Sequence, residues 1–147
     1  MIQFTLEINP IPQKRTRFGN HHAYNPSKKQ MQFMQWQMKP FAPKEPLNGP
    51  LFVDYTFCFP VPKSKSIKKR NMMLNNVIKH IIRPDGSNCQ YLLENAMKGI
   101  MYRDDCQICD YRVRKIWAER PQVIVKILDL NVVDFYDHPE NTLQDVT

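Results

Sequence analysis

Three proline pairs, Pro10/Pro12, Pro40/Pro43 and Pro60/Pro62, cut the first half of this chain into lengths that no long helix or central strand can cross. Proline has no amide donor and a fixed φ, so it ends helices and keeps to the ends and edges of sheets. Between these stops the hydrophobic pattern assigns each segment. Ile2, Phe4, Leu6 and Ile8 alternate with Gln3, Thr5, Glu7 and Asn9, which predicts a half-buried strand over 2–9. Gln13–Asn25 is basic and polar and reads as a loop. Pro26-Ser-Lys-Lys opens a helical stretch in which Met31, Met34, Met38 and Phe41 recur at intervals of 3, 4 and 3, a stripe expected to pack in the core. The apolar run Leu51–Phe59 predicts a second strand, stopped by Pro60.

Lys63–Lys79 is basic and helical in its middle, and the loop His80–Gly86 leads to a third helix over about 88–98. Ser87 and Gln90 have the spacing of a capping box at its start. Cys89, Leu92, Leu93, Ala96 and Met97 form one face of this helix, and Tyr91, Glu94, Asn95 and Lys98 the other. Two antiparallel strands follow, over about 106–117 and 121–130, with a turn near Glu119–Pro121. The β-α-β-α-α-β-β order predicts a single α+β domain over residues 1–130, a mixed or antiparallel sheet with helices on one side. The last 19 residues, from Asp129, hold five acids and no Lys or Arg. An acidic tail over 131–147 is therefore expected, partly disordered or covering a basic patch.

Four glycines in 147 residues leave no G-x-x-x-x-G-K and no G-x-G-x-x-G, which excludes the glycine-loop nucleotide folds. No apolar run approaches the ~18 residues of a membrane span. The start Met1–Leu6 lacks a basic flank before an apolar run, so no secretory leader is expected. Cys58 and Cys89 sit in apolar runs as small core residues; Cys106-Gln-Ile-Cys109 has zinc-knuckle spacing but no matching second pair. With no disulfide framework, a reducing cytoplasm is the expected compartment.

The charge is divided unevenly along the chain. Residues 8–84 carry 14 Lys and Arg against two acids, Glu45 and Asp54, a surplus of +12. Residues 85–147 carry seven Lys and Arg against 11 acids, a balance of −4, and the whole is +7. Cations gathered for a polyanion, with carboxylates set apart for metal, give this pattern; a merely solvated basic face gives it too. Asp85, on a loop, and the adjacent Asp104 and Asp105, before a strand, are the acids best placed for chemistry. Asp85 and Asp105 bracket a helix of about 16 Å, and a chain returning through Gly99 can bring both to one end of the sheet. Carboxylates from two loops suit Mg²⁺, which takes few protein oxygens and leaves room for phosphate and water. Ser64, Ser66 and Ser87 lack a glycine elbow, and His21 and His22 complete no triad, so nucleophilic catalysis finds no candidate.

Several motifs resemble one family. Pro10-Ile-Pro-Gln-Lys-Arg-Thr-Arg-Phe-Gly and Tyr24-Asn-Pro-Ser-Lys-Lys are similar to the opening of the RusA-type Holliday-junction resolvases. Lys68-Lys-Arg, ending in His80-Ile-Ile-Arg-Pro-Asp85, is similar to their basic connector before an acidic motif. Asn95-Ala-Met-Lys-Gly-Ile-Met-Tyr-Arg-Asp-Asp-Cys-Gln107, then Asp110-Tyr-Arg-Val, resembles their D-A-L-N-G-x-x-(W/Y)-x-D-D-x-Q signature and following strand. The resemblance runs from residue 2 to about 128. It implies a small α+β homodimer, encoded by a bacterium, phage or prophage, that cleaves two opposed strands of a four-way DNA junction with Mg²⁺ (or Mn²⁺).

Carried over by position, the resemblance makes Asp85 and Asp105 the metal ligands, with Asp104 beside them and Asn88 as the motif asparagine. The chain departs from the pattern at three points: the motif's second Asp is Ser87, its helix Lys is Tyr91 and its helix Asp is Asn95. Ser87 can still reach metal through water, and Glu94 is the replacement carboxylate that related sequences with Ser suggest. Lys14, Arg15, Arg17, Lys68, Lys69 and Arg70, with Lys79 and Arg83, are expected to track phosphates without reading sequence. Two other outcomes stay open: a catalytically weak or inactive junction-binding protein, and an RNA-binding module using Tyr55, Phe57 and Phe59.

Overall fold

Every residue of β4 (Leu51–Pro60) from Leu51 to Phe59 is buried, so this strand lies at the centre of the sheet with both faces covered. The computed structural model describes residues 1–131; 132–147, nearly all of the expected acidic tail, lie outside the described residues. The remaining elements are β1 (Ile2–Leu6), β2 (Arg17–Gly19), β3 (His22–Tyr24), α1 (Lys28–Met38), α2 (Ile67–Leu74), α3 (Gly86–Met97), β5 (Ile108–Ala118) and β6 (Gln122–Asp129). The class is α+β, and the main sheet is mixed, with strand order β1-β6-β4-β5.

The two C-terminal strands do not form the hairpin that their spacing suggests. β5 pairs with β4 in parallel, β6 pairs with β4 antiparallel on its other edge, and the turn between them passes across the end of β4. A strand as apolar as β4 has two rows of backbone groups to satisfy away from water. Partners on both edges do that, whereas a β5–β6 hairpin leaves one edge bare. The crossover through α2 and α3 makes β5 parallel, as such helical connections do. β1 closes the far side against β6, Ile2 opposite Ile127 and Leu6 opposite Val123.

Phe4, Leu6, Leu51, Val53, Tyr55, Phe57, Phe59, Val125 and Ile127 from one sheet face join Met34 and Met38 of α1, Met73 of α2 and Leu92, Leu93, Ala96 and Met97 of α3 in a single core. The helices therefore cover one side, and the methionine stripe packs inward as expected, except that Phe41 stays half exposed while stacking on Phe4. On the opposite face Asp54 is 3% exposed, and Arg114 spans its two carboxylate oxygens at 3.0 Å each.

Three local expectations need correction. The loop Gln13–Asn25 contains a small hairpin, β2–β3, with Gly19 opposite His22. Its side chains are exposed, so no buried alternation announced it. α3 begins at Gly86, with Asp85 as N-cap in extended conformation, so Ser87 lies inside the first turn and makes no capping box. The strand expected from Cys106 starts at Ile108, because Asp105–Gln107 form a 3₁₀ turn. α2 fits its prediction, with the Ser66 hydroxyl accepting from the Lys69 amide at 3.4 Å.

Candidate active site

The candidate site is built around the two ends of α3. At the N-terminal end the Asp85 carbonyl accepts from the Cys89 amide at 3.2 Å, while its exposed carboxylate makes no cap bond. The connector leading into it is fastened to β5. Lys115 Nζ donates to the carbonyls of Ile82 at 2.7 Å and Pro84 at 2.9 Å. Gly86 lets this approach happen, since a Cβ there would meet Val113 Cγ1 at 3.1 Å and Lys115 Cγ at 3.6 Å. Upstream, His80 is buried with its ring centroid 3.9 Å from Phe59 and 4.4 Å from Trp117, and its Nδ1 has no hydrogen-bond partner among the described residues. Burial, then the nearby Lys115 ammonium, hold its pKa below the usual histidine value.

Cations surround Asp85. Pro12, Arg83 and Asn88 share a cleft with it, and an adjoining cleft is lined by Lys14, Arg15, Asn88, Tyr91 and Asn95. The Gln13 amide donates to the Asn88 carbonyl at 3.1 Å and the Lys14 amide to Ser27 Oγ at 3.0 Å, which ties the basic loop to α3 and α1. Arg17 lies on β2, Lys68, Lys69 and Arg70 on α2, and Lys79 on the connector; all but the half-buried Arg70 are exposed. Tyr91 and Asn95, where the family pattern has Lys and Asp, face this cleft with Asn88 rather than the carboxylates beyond.

At the C-terminal end Glu94 turns toward the sheet. Tyr55 Oη and Gln90 Nε2 each donate to Glu94 Oε1 at 2.8 Å, and Tyr102 Oη donates to the Glu94 carbonyl at 2.9 Å. Burial, then the Glu94 carboxylate, push the Tyr55 phenol far above its ordinary value, so it is a permanent donor. Lys98 Nζ lies 3.1 Å from Asp104 Oδ1 and 3.6 Å from Asp105 Oδ1. Hydrogen bonding shared with Asp105, then with Lys98, lowers the Asp104 pKa to about 2. Gln107 Oε1 accepts from the Asp104 amide at 2.8 Å while its Nε2 donates to the Leu47 and Gly49 carbonyls at 2.9 and 3.0 Å. That glutamine fixes the acidic turn against the loop before β4. Burial, then the Glu94, Asp105 and Asp104 carboxylates, push the Tyr102 phenol far above its ordinary value.

Asp85 and Asp105 are not brought together within one chain. Asp85 caps the start of α3 and Asp105 is held by Lys98 at its end, about 20 Å further on by helical rise. Gly99, with φ of 79°, turns the chain tightly after Lys98, and the Gly99 amide donates to the Tyr102 carbonyl at 2.7 Å. The acidic pair is thereby left beside the helix end instead of returning to Asp85. Among the described residues no three His, Cys, Asp or Glu converge on a point that could hold a metal ion. What converges is a pair: Asp104 and Asp105 on one positive charge, Lys98 Nζ. Such a donor set fits a cation bound by one or two carboxylates with phosphate and water completing its shell. The roles of Lys98, Tyr55, Lys115 and Gln107 are not legible in the sequence, because each acts on a carboxylate or its connector through a contact that only the folded chain makes.

Carboxylates near both ends of one helix, with Lys14, Arg15 and Arg83 lining clefts at its start, are the kinds of group that metal-assisted phosphodiester hydrolysis uses. The chain matches the family model Endodeoxyribonuclease RusA over residues 7–128 and belongs to that family. It is also similar to uncharacterized protein YqaN of Bacillus subtilis (strain 168), 28% identical over 138 residues that cover 88% of this chain and 97% of the relative. Among the described residues no helix is long and apolar enough to cross a membrane.

Proposed function

We propose that this chain is a divalent-metal-dependent endonuclease that binds four-way DNA junctions as a homodimer and nicks two opposed strands. The observation that carries this reading is the placement, within a RusA-family domain, of Asp85 at the start of α3 in a cleft with Arg83, next to one lined by Lys14 and Arg15 of the basic loop. Lys14, Arg15, Arg17 and Arg83, with Lys68, Lys69, Arg70 and Lys79, hold junction phosphates and position the branch. Asp104 and Asp105 would hold Mg²⁺ or Mn²⁺, with Glu94 kept in orientation by Tyr55 and Gln90. A divalent ion there supplies charge at the scissile phosphate and lowers the pKa of an attacking water.

Each end of α3 is short of ligands alone. Two symmetric nicks need two sites related by a twofold axis, and an isologous dimer provides one. We therefore place Asp85 of one chain, with Ser87 in the same helical turn, against the Glu94–Asp105 end of the other. The deciding experiment incubates purified protein with an end-labelled four-way junction, with Mg²⁺ and with EDTA. Paired nicks in Mg²⁺ alone support the reading.

Ser87, Tyr91 and Asn95, standing where the family pattern has Asp, Lys and Asp, favour one rival: a junction-binding protein without cleavage. Binding with no product in either Mg²⁺ or Mn²⁺ selects it. The RNA-module alternative loses its platform, since Tyr55 and Phe57 are 0% and 1% exposed in the core.

A further inference from the structure

α1 turns two aromatic rings to solvent on the side away from its methionines. Trp36 is 72% exposed and Phe33 50%, with centroids 6.1 Å apart and planes within 13° of parallel. Exposed lysines bracket them on the same side, Lys29 one turn before Phe33 and Lys39 one turn after Trp36. A groove beside Trp36 is lined by Lys39, Lys44, Pro43, Gly99 and Ile100, and no acid among the described residues lines it. On the other flank, by Phe33, Glu7 is the one acid among the described residues, and it is paired with Arg120 at 3.8 Å. A solvent-facing aromatic pair usually marks an interaction surface. Rings framed by cations at both ends complement one chemistry in particular, a strand of stacked bases joined by phosphates.

We infer that the Lys29–Phe33–Trp36–Lys39 stripe is a platform for unpaired, single-stranded DNA, the bases stacking on Trp36 and Phe33 and the phosphates lying on the flanking lysines. The groove places this strand close to the acidic pair, because Gly99 and Ile100 follow Lys98, whose ammonium holds Asp104 and Asp105. Strand separation at a branch point supplies unpaired nucleotides, and a stacking platform is tolerant of their sequence. The inference rests on the nucleic-acid reading above but adds a ligand state, single strand, that the reading does not contain.

Tryptophan fluorescence tests it directly. The chain has two tryptophans, and Trp117 is only 9% exposed, so a ligand at the platform reports through Trp36. Titration with oligodeoxythymidine should quench Trp36 saturably, and added salt should weaken the binding. By anisotropy of a labelled strand, Trp36→Ala should weaken single-strand binding about tenfold, and Trp36→Phe should restore most of it. Binding to an intact four-way junction, measured in parallel, separates the two readings. Junction binding with no single-strand quenching overturns the platform alone, and quenching without junction binding overturns the junction reading alone. A blue shift of Trp36 emission with rising protein concentration and no DNA shows a second copy on the stripe, and overturns the platform as well.

Discussion

Tyr55 Oη lies 2.8 Å from Glu94 Oε1, so a phenol from the middle of the central strand holds a carboxylate on the site's helix. Tyr55 is fully buried, and the bond is charge-assisted. Tyr55→Phe should cost about 1.5–3 kcal/mol in denaturant unfolding. Combined with Glu94→Ala, the loss should fall short of the sum of the singles, since each substitution removes the same bond. Strict additivity in the double-mutant cycle contradicts the tether.

Glu94→Gln and Asp105→Asn should each slow junction cleavage by about 10²–10³-fold, the scale of losing one charged group that acts at a transition state. Junction affinity should hardly change, which separates lost chemistry from lost binding. Ser87→Asp, restoring the family's acid, should raise cleavage or lower the metal concentration required.

The composite site can be read by mixing variants. Asp85→Asn and Asp105→Asn homodimers should both be inactive, whereas a co-refolded mixture should nick one strand, because each heterodimer rebuilds one complete site. No activity in a mixture shown to contain heterodimer means that Asp85 and Asp105 act from the same chain.

Lys115 fastens the connector to β5 through two carbonyls just before Asp85. Lys115→Met keeps the packing stem and removes both charged donors. Protease sensitivity over 76–84 should rise and cleavage should drop, with junction binding retained. Resistance in that segment equal to the wild type's argues that the connector is held by other means.

His80 is held below its ordinary pKa of 6.5 by burial, so the folded protein takes up this proton at lower pH than the unfolded chain. Its contribution is fully present above the unfolded value and is lost as pH falls from there through the folded one. His80→Phe, which can stack on Phe59 and Trp117, should flatten the fall in melting temperature between about pH 6.5 and pH 5. An equally steep fall in the variant assigns the pH dependence elsewhere.

The +12 surplus of residues 8–84 predicts salt-sensitive junction binding. Replacing Lys68, Lys69 and Arg70 by Ala should reduce the slope of log K against log salt by about 0.9 for each phosphate that the variant no longer neutralises. An unchanged slope removes α2 from the DNA surface.

The class, the order of the main-sheet strands and the helices, and the inward faces of α1 and α3 were legible in the sequence, because proline stops and apolar periodicity are local signals; the exposed β2–β3 hairpin was not. Which strands pair was not, since Leu51–Phe59 shows that β4 is buried but not which neighbours satisfy its edges. The acids Asp85, Asp104 and Asp105 could be picked from spacing and motif. Their separation depends on Gly99, whose tight turn after Lys98 leaves Asp105 at the far end of α3. Lys98 itself carried no signal beyond being one more surface lysine.

Among the described residues β1 pairs with β6 alone, so Ile2 finds its sheet partner in Ile127, far along the chain. During synthesis the N-terminal strand therefore has no place in the sheet until β6 has left the ribosome. Pairings this distant in sequence fold slowly and close late. The strand that completes β4 is also the one that admits β1, so both edges close in one step once β6 is available. A chain cut short before Gln122 leaves both the first strand and an edge of the central one without partners.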